Sequence, residues 1–213
     1  IRQSQCVFLT DAPATPGEHW IDRLLRGCGQ PSPDCTDTWR TPASAGTPAP
    51  HLVLREADRR ERDAWLRARG WRGEALWLIQ PFNKRSMRWN GPRDPADDDK
   101  AWPAQHWIAT LRALREDHPA ARIVLCGVSN EAPLLDALAR EARVTGVEVA
   151  AHELPLRRLM ALAEIADGML SVDTGPAHVA AAMGCPLIVL FGAQSPDAWC
   201  PRSSTGSAVI ALG

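Results

Sequence analysis

"SVDTGPAHVAAAMGCPLIVLFG", Ser171 to Gly192, is the stretch that decides the fold. An apolar run ends in Asp173, Thr174, Gly175 and Pro176. A short alanine-rich helix follows, and a second apolar run closes in Phe191-Gly192. Two runs that are apolar throughout, joined by a helix, make a strand–helix–strand unit whose parallel strands are covered on both faces. At the joint, Pro176 suits the first helical position, where its missing N–H would be unpaired anyway. Gly175 lets the backbone turn tightly and approach a ligand. The helix start then offers free amides from Thr174 to Ala177 at the carboxyl edge of the sheet, an end with partial positive charge that suits phosphate. Ala177, Ala180, Ala181 and Ala182 allow close packing on the sheet, and Gly184 closes the helix. The plainer alternative is a helix merely capped by Asp173 or Thr174, with His178 a structural histidine. Asp173 is expected to cap the helix and orient the loop, because a second anion would repel phosphate.

Outward from this stretch the same rhythm repeats. "ALWLIQPF", "RIVLCG", "VEVA" and "GMLSV" read as strands, and with "PLIVLFG" they predict a parallel sheet over 75–81, 122–127, 147–151, 168–172 and 186–191. "PAQHWIATLRALRED", "EAPLLDALAREAR" and "PLRRLMALAEIA" read as the intervening helices, the first and last opened by Pro103 and Pro155. Nearer the front, "GEHWIDRLLRGCG" has helical spacing, 29–50 is a loop rich in Pro, Ser, Thr and Gly, "HLVL" reads as a short strand, and a charged helix ends at Gly70. One stretch breaks the rhythm: "NKRSMRWNGPRDPADDDK", Asn83 to Lys100, long and polar, just after a strand's carboxyl end. Ligands bind at that edge in open α/β sheets, and loops of such length are functional or disordered. Its Asp97–Asp99 run reads as solvated charge rather than a metal site.

The whole chain has 213 residues, 45% of them apolar, and a formal net charge of -1. That balance lacks the basic surplus of a nucleic-acid binder and gives no broad attraction to a membrane surface. No apolar run approaches the length of a membrane span. The six cysteines form no C-x-x-C pair and have no histidine at zinc spacing. Cys126 and Cys185 read as free buried thiols of a reducing cytoplasm, while Cys6, Cys28 and Cys35 lie close enough in sequence to bridge. The chain begins at Ile1, and further residues are expected before it.

"SVDTGPAHVAAAMGCPLIVLFGAQSPDAWCP" resembles the donor-site segment of glycosyltransferase family 9, the ADP-heptose:lipopolysaccharide heptosyltransferases. "KAWPAQHW" resembles that family's Lys-x-Trp-Pro segment, and "VLCGVSNE" its strand–Gly–loop–Glu segment. The ordered set covers about Lys100 to Pro201 and is fairly specific; the front of the chain matches more weakly.

The resemblance implies the C-terminal half of a GT-B architecture, two Rossmann-like domains facing a cleft. Residues 1–28 are then a remnant of the N-terminal domain, 29–70 a linker region with a short strand and helix, and 71–213 the donor-binding domain. By motif, the backbone of Thr174, Gly175, Pro176 and Ala177 holds the donor's diphosphate beside Asp173 and His178, Lys100 neutralises phosphate charge, and Glu131 accepts from the ribose hydroxyls. From the residues alone, Lys100 is equally a solvated loop charge, rivalled by Lys84, Arg85 and Arg88. Glu131 is equally an acid favoured by its helix's first turn. The implied reaction is inverting, metal-independent transfer of a heptose or related sugar from an ADP-sugar to a lipid-linked core oligosaccharide, with no cofactor. The general base is expected in the N-terminal domain, so no catalytic residue is assigned. The expected location is cytoplasmic, with peripheral contact at the inner membrane through that domain. The alternatives are a non-catalytic nucleotide-binding module and another GT-B-like enzyme such as an epimerase.

Overall fold

The structure is a computed structural model and describes residues 13–28, 49–88, 91–92 and 98–213. Six parallel strands form the sheet: β1 (Leu76–Gln80), β4 (Arg122–Leu125), β5 (Val147–Val149), β6 (Gly168–Val172), β7 (Leu187–Leu190) and β8 (Val209–Leu212). Their spatial order is β5-β4-β1-β6-β7-β8. Counting these six alone, that is 3-2-1-4-5-6, the doubly wound order whose direction reverses between β1 and β6. A small antiparallel pair, β2 (Met87–Arg88) with β3 (Gly91–Pro92), lies between β1 and the first crossover helix.

The apolar runs become strands because neighbouring residues on each are buried on opposite faces. Leu76 and Leu78 enter one core with Val124, Met169, Leu187 and Val189, while Ile79 enters the other with Ile123, Leu125 and Val172. On the first face lie α2 (Glu56–Ala68), α5 (Leu156–Ile165) and α6 (Gly175–Ala182); on the second lie α3 (Ala104–Asp117) and α4 (Ala132–Ala142). Trp107 and Leu111 of α3 and Leu135 of α4 are wholly buried on that face. The alanines of α6 are buried at the sheet, and Gly184, at φ 84°, ends the helix.

All five strands expected for the parallel sheet are present and parallel. Three features differ. "HLVL" forms no strand; Leu52 and Leu54 instead pack on Met160 and Ala161. The helix read as part of a linker region, α2, is integral to the sheet unit: Trp65 and Leu66 are buried in its core, and Arg59 and Arg62 bond Glu164 of α5. β8 has no counterpart among the expected strands. Its residues alternate half-buried and exposed at the sheet edge, a weaker apolar signal than that of the central strands.

The front helix, α1 (Trp20–Cys28), docks near a short helix, α7 (Pro196–Trp199). Trp20 stacks on Trp199 with centroids 5.0 Å apart, Arg202 makes a forked pair with Asp22 at 2.8 and 2.6 Å, and His19 Nε2 donates to the Cys200 carbonyl at 2.8 Å. Cys126 and Cys185 are free and buried, as expected, and burial pushes both thiols up to about 12. Cys6 and Cys35, in the suggested bridge, lie outside the described residues, as do Asp97 and the first residues of the chain. No described helix is long and apolar enough to cross a membrane.

Candidate functional site

The carboxyl ends of β1 and β6 sit side by side where the strand order reverses, and the chain leaving each one lines a cavity of about 410 Å³. From β6 come Asp173, Thr174, Gly175 and His178. From the loop after β1 come Asn83, Lys84, Arg85 and Lys100. Gln194 and Trp199, beyond β7, complete the wall. A second cavity, of about 330 Å³, reaches toward the end of β4 and is lined by Glu131, Gly127, Phe82, Leu154 and Leu159 among others. Asn83, Lys84 and Thr174 border both, so the two form one groove along the sheet edge.

The helix start differs in detail from its sequence expectation. Thr174 is the N-cap, with extended backbone and no side-chain cap, and Pro176 occupies the second helical position. Ala177 N–H is taken by the Thr174 carbonyl at 3.0 Å, and proline has no N–H. The amides left without a partner among the described residues are therefore those of Thr174 and Gly175, not the whole run to Ala177. A Cβ built on Gly175 meets nothing within 4 Å, so open space stands directly over this amide pair.

Asp173 does not cap the helix. Its carboxylate forms an ion pair with Lys100, whose Nζ also donates to the Asp173 carbonyl at 3.1 Å, and His178 Nε2 lies 3.9 Å from its other oxygen. Burial alone would raise this carboxyl, but His178 and Lys100 outweigh burial and hold it below the usual carboxylate range. Lys100 arrives there because the loop crosses Gly192. A Cβ on Gly192 would overlap the Asp99 carbonyl oxygen, which accepts from Ala193 N–H at 3.3 Å. Only glycine admits this crossing.

The acidic run is not simply solvated. Asp98 is buried, 5% exposed. Its Oδ2 accepts from Asn83 Nδ2 at 3.0 Å and Ser86 Oγ at 3.2 Å, and its Oδ1 accepts from Lys100 N–H at 3.1 Å. Asp99 pairs with Arg85 at 2.6 Å. No cluster of three or more His, Cys, Asp or Glu suited to a metal occurs among the described residues.

Glu131 is buried at the far end of the groove. Burial pushes its carboxyl up, opposed by the Val128 N–H that it accepts at 2.9 Å through Oε2. The structure thus gathers all of Lys100, Asp173, Thr174, Gly175 and His178 at one cavity, and Glu131, Thr174 and Pro176 at the adjoining one. Ala177 is wholly buried against the sheet and lines neither. Asn83, Gln194 and Trp199 were not named as site residues from the sequence, although Asn83 opens the loop marked as functional or disordered and Gln194 and Trp199 lie in the stretch that resembles a donor-site segment.

A family model described as glycosyltransferase family 9 (heptosyltransferase) matches residues 93–211, more than half of the chain. Over 105 residues the chain is 29% identical to lipopolysaccharide heptosyltransferase 3 of Escherichia coli, a match covering 49% of this chain and 31% of that protein. A family 9 glycosyltransferase from Veillonella parvula shares the fold with a TM-score of 0.68 at 17% identity, over 92% of this chain and 49% of that one. E. coli heptosyltransferase II gives 0.56 at 22% identity, covering 76% and 44%. E. coli heptosyltransferase WaaC, solved with ADP, gives 0.51 at 25% identity, covering 66% and 39%. The chain therefore spans about half the length of its solved relatives or less.

Proposed function

This chain belongs to glycosyltransferase family 9, and from that premise we propose that it supplies the nucleotide-sugar donor site of a heptosyltransferase-like enzyme of lipopolysaccharide synthesis. The observation that carries this is the groove: an electropositive cavity over two unpaired amides, continuous with a more apolar one that ends in a buried carboxylate. Those are the complementary surfaces of a nucleoside diphosphate. The diphosphate lies at Thr174 and Gly175, near Lys100 and His178, where helix dipole and open donors favour an anion. The nucleoside extends toward Phe82 and Leu159, with its ribose hydroxyls donating to Glu131. The sugar lies on the side of Gln194 and Trp199. ADP is the nucleotide that the WaaC relative holds, and an ADP-heptose is the proposed donor.

In the proposed transfer the acceptor hydroxyl oxygen attacks the anomeric carbon from the face opposite the diphosphate. The bond from that carbon to the phosphate oxygen breaks, and ADP departs with the electron pair. The amides and the cations of the cavity stabilise that charge, so no metal is required for it. The acceptor proton passes to a general base. Among the described residues, Asp173 is paired with Lys100 and His178, and Asp99 with Arg85. In this reading the base belongs to the facing domain that the family resemblance implies, together with the lipid-linked acceptor and any contact with the membrane.

Titration calorimetry of the 213-residue chain with ADP, UDP and GDP tests the reading. ADP is expected to bind in preference to the others, and isolated chain given ADP-heptose and acceptor is expected not to turn over. Absence of nucleotide binding would overturn the donor-site assignment, and glycosyl transfer by the chain alone would overturn the placing of the base.

A further inference from the structure

We infer that the front helix α1 positions the sugar-side wall of the donor cavity: Trp20 is a positioning residue that holds Trp199, and Trp199 meets the sugar of a nucleotide-sugar. This rests on the donor-site reading and deepens it. Trp199 is the largest apolar side chain among the described residues that line the larger cavity. It is carried by α7, a helix of only four residues with none fully buried. So short an element does not fix a large ring by itself.

The ring is fixed from α1 instead. Three ties join the two segments in step. Trp20 stacks on Trp199 with centroids 5.0 Å apart and planes inclined by 23°. Buried His19 donates from Nε2 to the Cys200 carbonyl at 2.8 Å, while its Nδ1 accepts from Ile21 N–H at 3.1 Å, so both ring nitrogens are engaged. Asp22 takes the forked pair from Arg202. The two hydrogen-bonded ties span 181 and 180 residues of sequence. Arg23 adds a cation 5.4 Å from the centre of the Trp20 ring. A tryptophan pair that served packing alone could sit anywhere on the surface. This one ends in a cavity, and the ring that reaches the cavity is set in one plane from behind. A ring so held presents a flat apolar face to the C–H surface of a sugar, and Gln194 on the same side offers an amide donor and acceptor to its hydroxyls. Little ordering remains when the sugar arrives. The nucleotide part of the ligand does not need this wall, because its groups lie toward Thr174, Gly175 and Glu131.

The test is calorimetry of the 213-residue chain with ADP and with ADP-heptose, on the parent, Trp20→Leu, Trp20→Phe, Trp199→Leu and the double leucine variant, alongside the unliganded unfolding midpoint. The deciding readout is the ratio of ADP-heptose to ADP affinity, which a general loss of stability does not move. The parent should bind ADP-heptose more tightly than ADP. Trp20→Leu should keep its affinity for ADP and lose about three- to tenfold of that ratio, the size of one aromatic contact. Trp199→Leu should lose a similar amount, and the double variant no more than either, since one acts through the other. Trp20→Phe should retain most of the ratio. An unchanged ratio in Trp20→Leu overturns the inference. Equal weakening of both ligands makes Trp20 merely structural and also overturns it, as does an additive loss in the double variant. A parent that binds ADP but gains nothing from the heptose overturns it while the nucleotide site stands. A parent that binds neither ligand brings down the donor-site reading and this inference with it.

Discussion

Replacing Gly175 by valine tests the amide pair most directly. Its backbone lies outside the left-handed region, and a Cβ there meets no atom within 4 Å. The protein therefore has room for a side chain, and the room it would fill is the cavity. Valine and glycine differ by less than about 1 kcal/mol in helix preference, with valine the better, so the unliganded unfolding midpoint should barely move. Two amides, of Thr174 and Gly175, lie under that space. Each hydrogen bond to a charged phosphate is worth about 1.5–3 kcal/mol. Losing the equivalent of one of them weakens ADP by about thirtyfold. Thermal or chemical unfolding reads this through linkage. At an ADP concentration a hundred times the parent's Kd, the parent gains about 2.7 kcal/mol, and a variant bound thirtyfold more weakly gains about 0.9 kcal/mol. Gly175→Ala should fall between. Equal ADP stabilisation of parent and valine variant would refute the helix-end site. A large fall in the variant's unliganded stability would refute the claim that position 175 faces open space.

Lys100→Met should cost about 3 kcal/mol in urea unfolding at neutral pH, because it strands a largely buried Asp173 carboxylate; adding Asp173→Asn should recover most of that loss. Gly192→Ala should lower ADP affinity while leaving the far-ultraviolet spectrum intact, since the new methyl displaces the Asp99 carbonyl and with it the Lys100 loop; unchanged affinity would show that the crossing is not needed. Asp58 is held at about 2, first by the Arg55 side chain and then by the Arg55 N–H. Its folded value is depressed, so its stabilisation is present above the ordinary carboxylate value of about 4 and is lost as pH falls toward 2. Asp58→Asn should therefore flatten the acid limb of the stability curve in that window, and an identical limb would remove Asp58 from it.

The sequence by itself determined the parallel sheet. Strands such as Leu76–Gln80, apolar but for its last residue, and Leu187–Leu190 are so because both faces are covered, and that demand is written locally, residue by residue. It also determined where to look. A proline and a glycine between a strand and an alanine-rich helix mark a helix start at the carboxyl edge, and the polar run from Asn83 marks the loop beside it. What each charge does there was decided by tertiary structure alone. Asp173 and Lys100 are 73 residues apart, and nothing in either neighbourhood says that one neutralises the other. Asp98 sits in a run of three aspartates, yet burial beneath Asn83 and Ser86 makes it an organiser of the loop after β1. β8 and the docking of α2 were hidden for a related reason: an edge strand and a charged helix each bury one side, and which side is settled only when the sheet exists for them to pack on. Periodicity reports how much of a segment is covered, whereas a charge reports nothing about its partner until the chain has brought the two together.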